Sequence, residues 1–120
     1  MSLKKLNKTQ RAAVEATDGP ILIFAGAGSG KTRVLTHKMV YLIREGLNKP
    51  ENILSVTFTN KAAKEMKERV MDLLKTDNLP ITIGTFHSVC ARLIRVEAKH
   101  LDLSPQFAIY DVQDQLDLLK

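Results

Sequence analysis

Residues 21–32 read Ile-Leu-Ile-Phe-Ala-Gly-Ala-Gly-Ser-Gly-Lys-Thr, an apolar run that leads directly into a glycine-rich loop. The run at residues 21–24 predicts a strand that is buried on both faces of a sheet. After the loop, residues 32–45 have the period of a helix, and Gly46 is suited to end it. The apolar side chains expected to face inward from that helix belong to Leu35, Met39, Leu42 and Ile43. Strand, loop and amphipathic helix in this order are typical of the start of an α/β fold.

The loop between this strand and this helix has the residue types of a phosphate-binding loop. It matches the pattern G-x-x-x-x-G-K-[ST] except at the first position, where Ala25 stands instead of glycine. Small residues let backbone N–H groups approach a phosphate closely, and the helix N-terminus adds partial positive charge. We expect the Lys31 ammonium to contact the β- and γ-phosphates of a nucleotide and the Thr32 hydroxyl to ligate Mg²⁺. The backbone of the predicted cradle comes from Ala25, Gly26, Ala27, Gly28, Ser29 and Gly30.

The rest of the chain repeats the alternation of strand and helix. Further strands are predicted at residues 53–58 and 81–85, and further helices at 7–17, 60–75 and 86–99. Such short connections favour a parallel sheet flanked by helices. The helix at 60–75 is expected to face inward with Ala63, Met66, Val70, Leu73 and Leu74. Near the end of the sequence, Asp111 is suited to cap one more helix.

Length, charge and cysteine content narrow the class of protein. The 120 residues correspond to one small domain or part of one, and the net charge of +5 suits a polyanionic partner. No apolar run approaches the roughly 20 residues that span a bilayer, so we expect no membrane association. The single cysteine, Cys90, cannot form an internal disulfide, which fits a reducing, cytoplasmic compartment. Because Cys90 lies on the apolar face of the helix at 86–99, we predict that it is a buried small hydrophobe.

Two segments that follow predicted strands combine hydroxyls, an aromatic ring and a helix N-terminus. They are residues 57–63, Thr-Phe-Thr-Asn-Lys-Ala-Ala, and residues 84–88, Gly-Thr-Phe-His-Ser. Such segments can bind a sugar–phosphate backbone and stack a base, or they can serve as helix caps with core phenylalanines. For Phe58 both interpretations stay open, whereas Phe86 is predicted in the core. Gln10 can read the edge of adenine with its carboxamide, or it is a solvated helix residue.

Four segments together resemble motifs of the UvrD/PcrA/Rep family of superfamily 1 DNA helicases. Leu-Asn-Lys-Thr-Gln at residues 6–10 is similar to the adenine-recognising glutamine motif of that family. The loop with its following arginine, residues 25–33, resembles motif I, in which Ala25 is usual. Residues 57–66 resemble motif Ia, and residues 83–88 resemble motif Ib. The four motifs occur in the family's order along the chain.

The resemblance implies a P-loop NTPase with a RecA-like parallel sheet flanked by helices. It implies an ATP-dependent translocase moving 3′ to 5′ on single-stranded DNA, or a helicase acting on 3′-tailed duplexes. By the same resemblance, Gln10 contacts adenine, and the loop through Arg33 holds the phosphates of ATP and Mg²⁺. Phe58 would stack on a base. The other residues expected beside the DNA strand are Asn60, Thr85 and His87.

Parts of the family pattern have no counterpart in the sequence. The family's motif II has an adjacent aspartate and glutamate, but no two acidic residues are adjacent here. The later arginine motifs are also missing, and an arginine finger alone can contribute 10³–10⁵ in rate. We therefore expect a truncated chain: residues 1–104 belong to the first motor domain, and residues 105–120 begin an inserted helical subdomain. We expect this chain to be inactive as an ATPase and to self-associate through its truncated edge.

Two other classes of function share some of these features. One is a nucleotide- or single-strand-binding module without catalysis of its own. The other is a small-molecule kinase, which also uses a phosphate loop. If the chain were a small-molecule kinase, we would expect acidic or arginine side chains that bind the substrate after the second strand. At that place this chain has residues 57–63, Thr-Phe-Thr-Asn-Lys-Ala-Ala, instead.

Overall fold

A computed structural model describes residues 3–26, 28 and 30–120. The helices in these residues are α1 (Lys8–Glu15), α2 (Lys31–Arg44), α3 (Asn60–Leu74), α4 (Phe86–Val96) and α5 (Val112–Leu118). The strands are β1 (Leu54–Thr57) and β2 (Thr82–Thr85), and short 3-10 turns lie at Leu3–Lys5, Pro50–Asn52 and Ala98–Leu101. The chain divides into two compact units, Met1–Phe86 and His87–Lys120. The domain boundary predicted between residues 104 and 105 stays a prediction.

The two strands form a parallel pair whose carboxyl ends meet at one edge. Leu54 lies opposite Thr82, and Thr57 lies opposite Thr85. Helix α3 connects them, as a parallel crossover requires. The predicted mixed α/β order with a parallel sheet is therefore confirmed for these two strands. The segments that follow β1 and β2 begin at neighbouring positions of the same sheet edge.

The main core of the first unit lies between α2, α3 and the segment that leads into β2. Its buried members are Met39, Val40, Met66, Val70, Leu79 and Ile81. The inward face predicted for α3 is confirmed, since Ala63, Met66 and Val70 are buried. On α2 the prediction is confirmed for Met39, which is buried, and for Ile43, which packs against this core, but Leu35 is exposed. Val40, which was not predicted, is fully buried. Leu35 borders a cavity that is also lined by Ile21 and Ile23.

The strand predicted at residues 21–24 is wrong for this structure. No strand forms there, and Leu22 and Phe24 are 78% and 91% exposed. The pattern indicated a strand inside a sheet, which needs a hydrogen-bonded partner and a covering layer on each face. Among the described residues, β1 and β2 pair only with each other. The apolar run is therefore not part of a sheet, although its composition favours one.

Helix α1 begins and ends with identifiable polar contacts. The predicted cap, Asn7, accepts a hydrogen bond from the Gln10 N–H at 2.8 Å, and the Gln10 side chain accepts one from the Asn7 N–H at 3.1 Å. At the other end, the Lys38 ammonium of α2 donates to the carbonyls of Ala13, at 2.9 Å, and Ala16. These carbonyls carry the partial negative charge of a helix C-terminus. Lys38 thereby fixes α1 to α2.

The second unit corrects the prediction for Cys90, which is exposed. The apolar stripe of α4 was expected to be covered, but Leu93 is exposed as well, and of the α4 residues only Val89 is buried. The remaining elements of this unit, the turn at Ala98–Leu101 and the short helix α5, are too small to cover such a stripe. As predicted, Asp111 caps α5 and accepts from the Asp114 N–H at 2.8 Å.

Another contact of the second unit involves Arg95. Its guanidinium lies 4.5 Å from the centre of the Phe107 ring and donates to the carbonyl of Pro105 at 3.1 Å. These contacts hold the loop that follows the turn at Ala98–Leu101 against α4.

Within the described part of the chain, no helix is long and apolar enough to cross a membrane.

Candidate nucleotide-binding site

The N-terminus of α2 is formed by glycines in the left-handed backbone region. Gly28 has a φ of 76° and Gly30, the N-cap of α2, a φ of 84°. Residues with a Cβ rarely adopt such angles. Gly30 carries no capping side chain, and the first intrahelical bond runs from the Val34 N–H to its carbonyl at 3.1 Å. The N–H groups of the preceding helical residues therefore have no intrahelical acceptor and are available to an anion.

Lys31 and Thr32 begin α2, and both side chains are exposed at this end of the helix. An added Cβ at Gly26 or Gly28 would meet no atom within 4 Å, so the space beside the loop is open. The predicted contributions of Ala27 and Ser29 lie outside the described residues. Ala25 is half-buried and Arg33 is exposed on the first turn of α2.

Gln10 lies directly beside the loop although twenty positions separate it from Gly30. Its Nε2 atom is 2.7 Å from the place that a Cβ on Gly30 would occupy. The capping box of α1 orients the carboxamide, because its oxygen accepts from the Asn7 N–H. The fold thus brings the glutamine segment and the phosphate-loop segment together. A Cβ at Gly30 would displace the Gln10 carboxamide from its present position.

The groups at the N-terminus of α2 fit a nucleoside triphosphate with its magnesium ion. An ammonium, a hydroxyl and uncapped backbone N–H groups share one helix end, which is the chemistry that phosphate oxygens require. The described residues contain no cluster of three or more His, Cys, Asp or Glu side chains that could hold a metal. A magnesium ion would therefore depend on the Thr32 hydroxyl and on the phosphate oxygens themselves.

Two phenylalanines pair at the carboxyl edge of the sheet. Phe58 follows β1 and Phe86 follows β2, and their ring centres are 5.7 Å apart with an angle of 43° between the planes. Phe58 is 91% exposed and Phe86 is 48% exposed. The prediction that Phe86 lies in the core is therefore wrong, because about half of its side-chain surface is exposed. Exposed rings at such an edge are available for stacking.

The other residues predicted to contact DNA differ in accessibility. Asn60 is exposed at the start of α3, where Thr59 caps the helix by accepting from the Ala62 N–H at 3.1 Å. Thr85 is only 8% exposed at the end of β2. His87 is exposed and belongs to the second unit. Their roles toward DNA stay predictions.

Sequence reasoning missed two residues of this region. Phe86 was assigned to the core because its helix is amphipathic, and only the open sheet edge shows that it pairs with Phe58. Lys38 was not singled out, since nothing in its spacing indicates that it caps a helix more than twenty residues earlier.

Comparisons with known proteins agree on one family. A sequence profile described as UvrD/REP helicase N-terminal domain matches residues 6–120. The chain is 52% identical over 118 residues to the ATP-dependent DNA helicase PcrA of Bacillus subtilis, covering 98% of this chain. The corresponding identities are 50% to PcrA of Staphylococcus epidermidis and 49% to PcrA of Staphylococcus aureus. The chain spans only 16% of the length of each of these relatives.

Proposed function

The chain belongs to the UvrD/REP helicase N-terminal domain family, and from this membership we propose that it is the ATP-binding part of the first motor domain of a longer DNA helicase. Its relatives are ATP-dependent DNA helicases. The proposal includes a RecA-like P-loop fold for the complete domain, 3′-to-5′ movement on single-stranded DNA, action on 3′-tailed duplexes and a cytoplasmic location.

The observation that carries the nucleotide assignment is the contact between Gln10 and Gly30. A carboxamide both donates and accepts, which suits the edge of adenine, and it lies beside the helix end that offers phosphate donors. One ligand with a base at one end and phosphates at the other satisfies both groups. ATP has this arrangement.

Each residue of the loop has a distinct proposed task. The backbone N–H groups at the start of α2 bind phosphate oxygens, and the Lys31 ammonium neutralises charge on the β- and γ-phosphates. The Thr32 hydroxyl supplies one oxygen ligand to magnesium. Arg33, one position further along the first turn, interacts with the nucleotide from the side of α3. When bound, ATP would supply the phosphoanhydride bond whose hydrolysis drives movement along DNA, and magnesium would neutralise charge on the phosphates.

The proposed DNA track starts at the carboxyl edge of the sheet. Phe58 projects its ring into solvent beside Phe86, so a base could stack on it without any rearrangement of the core. By the family resemblance, the other residues proposed to lie near the DNA strand are Asn60, Thr85 and His87. The net charge of +5 favours such a polyanion.

For the chain by itself, a nucleotide-binding module without catalysis is a second candidate. One observation favours it: no two acidic residues are adjacent in the sequence, so the carboxylate pair of the family's motif II is missing. Binding without turnover is therefore the expected behaviour of these 120 residues.

Calorimetric titration of the chain with ATP and Mg²⁺ tests the nucleotide assignment. We expect weak binding, because these 120 residues supply few contacts on the base side of the ligand beyond Gln10. We expect Lys31→Ala to reduce the binding by at least about tenfold, as for loss of a charge-assisted bond. Lys64→Ala, on the exposed face of α3, serves as the matched control and should leave binding unchanged. Submicromolar binding that survives Lys31→Ala would defeat the assignment.

A further inference from the structure

A second basic site lies beside the phosphate loop. An open cavity of about 530 Å³ is lined by residues of the 3-10 turn at Leu3–Lys5, of α2 and of α3. Three cationic side chains line it, one from each element: Lys5, Arg33 and Arg69. The volume is in the range of small-molecule sites.

The charges around this cavity are not balanced within the described chain. Asp72 is the one carboxylate of the lining, so three cations and one anion leave a net charge of +2 with histidine neutral. None of the ion pairs among the described residues involves the three cations. An anionic ligand would therefore gain charge-assisted hydrogen bonds without breaking an existing pair.

The buried polar groups of the lining are already engaged. The Thr36 hydroxyl donates to the Thr32 carbonyl at 2.6 Å, and His37 Nδ1 donates to the Arg33 carbonyl at 2.8 Å. These two bonds hold the wall of the cavity along α2. The groups left to meet a ligand are the guanidinium and ammonium groups, whose geometry suits phosphate oxygens, with Arg able to bind two oxygens at once.

The position of the cavity separates it from the proposed DNA track. Arg69 lies nine positions after Asn60 along α3, which at the helical rise is about 14 Å from the sheet edge. Arg33, in contrast, lies on the first turn of α2, beside the phosphate loop. The cavity therefore adjoins the nucleotide site and not the strand-binding edge, which favours a small ligand over a DNA backbone.

We propose that this cavity binds a second phosphate-bearing small molecule, of diphosphate or polyphosphate type, separate from the nucleotide held by the loop. Arg33 is shared by the two sites. A phosphate in the cavity draws its guanidinium away from the loop, so occupancy of the cavity weakens ATP binding, and ATP weakens the second ligand equally. This coupling rests on the proposed function, whereas binding in the cavity does not.

Pyrophosphate is the probe, titrated into the Lys31→Ala chain so that the loop is disabled. The side-chain Nε–Hε resonances of Arg33 and Arg69 are followed by ¹⁵N–¹H NMR. We expect both to shift with one shared Kd that rises with salt. Arg69→Gln should raise this Kd about tenfold, whereas Lys67→Gln, on the same helix but outside the lining, should change it less than about twofold.

The remaining outcomes decide against the proposal. Loss of all pyrophosphate binding in Lys31→Ala would show that the loop is the only anion site. Equal effects of Arg69→Gln and Lys67→Gln would reduce the binding to general charge attraction. Lys5→Gln repeats the test from another element if Arg69→Gln perturbs the fold. Calorimetry with ATP on the unaltered chain measures nucleotide binding at the phosphate loop independently. If pyrophosphate does not bind in the cavity, the nucleotide assignment is therefore unaffected.

Discussion

Phe58 is the most exposed ring of the sheet edge, and its energetic role can be separated from that of Phe86. A side chain that is 91% exposed contributes little to the core, so its removal should cost the fold little. If it stacks on a base, Phe58→Ala in the full-length helicase weakens single-strand binding by about 1–3 kcal/mol. Fluorescence anisotropy with a labelled oligonucleotide at fixed salt measures the loss.

The paired ring provides the comparison. Phe86 is half-exposed and begins α4, so Phe86→Ala is expected to affect thermal stability as well as binding. Leu47→Ala, at an exposed apolar position away from the sheet edge, controls for general loss of apolar surface. Unchanged affinity in a folded Phe58→Ala protein would remove Phe58 from the DNA track.

The contacts between Lys38 and the end of α1 lead to a prediction about the free energy of unfolding. Its ammonium donates to the last carbonyls of α1, and Lys38→Met removes these bonds while keeping the apolar stem. We expect a loss of about 1 kcal/mol in the free energy of unfolding near neutral pH. Urea unfolding measures it, with Lys64→Met at an exposed position of α3 as the control.

The difference in the free energy of unfolding between the unaltered chain and Lys38→Met should depend on pH in a definite direction. Burial lowers the pKa of Lys38, so between its folded and unfolded pKa values the unfolded chain binds more protons. The desolvation cost of the charged form is present below the folded pKa and disappears above the unfolded value of about 10.4. The stability gap between the natural chain and Lys38→Met should therefore widen as pH rises toward about 10. A gap that narrows instead would mean that the carbonyl contacts raise the pKa of Lys38.

At the scale of elements, local signals predicted the helices well. The caps at Asn7 and Asp111 depend on neighbours within four residues, and both are present. The apolar face of α3 follows from the helical period of its residues, and Ala63, Met66 and Val70 on it are buried. The strands β1 and β2 were also predicted, because each is a short apolar run that follows a turn and precedes a segment with the spacing of a helix. Burial was predicted less well, as Cys90 and Leu35 show, because it depends on which layer covers a helix.

The apolar run at residues 21–24 leads to a prediction about hydrogen exchange. Without a paired strand, its backbone N–H groups have no sheet partners, so they should exchange in this chain as fast as those of an unstructured peptide. Those of β1 should be protected, since β1 pairs with β2. Exchange followed by NMR compares the two segments directly. Protection of residues 21–24 equal to that of β1 would show that they form a strand in solution.

At the scale of the molecule, the candidate site divides into a predictable part and an unpredictable part. Lys31 and Thr32 were found because a phosphate loop is contiguous in sequence. The approach of Gln10 to Gly30 and the cavity around Arg69 require α1, α2 and α3 to pack in a particular way. That packing depends on contacts distant in sequence, which spacing and periodicity do not encode.

The exposed apolar surface of each unit has a consequence for the whole chain. In the first unit, the side chains of residues 21–24 and of Leu54 are exposed, and the described sheet has two strands. In the second, the large apolar side chains exposed after residue 108 are Ile109, Tyr110, Val112, Leu116, Leu118 and Leu119. Unpaired strand edges are templates for pairing with another chain, and apolar patches of several hundred Å² favour association.

We therefore expect the 120-residue chain to self-associate or to be only marginally stable. Removing exposed apolar area from water is favourable, and the strand edges supply backbone groups for a second copy. Sedimentation from tens to hundreds of micromolar, together with thermal melting, measures both alternatives. Leu22→Lys should reduce association if the exposed apolar run at residues 21–24 is responsible, whereas Leu118→Lys should reduce it if α5 is responsible. A monomer at every concentration with a sharp melt above about 60 °C would show that this surface is harmless.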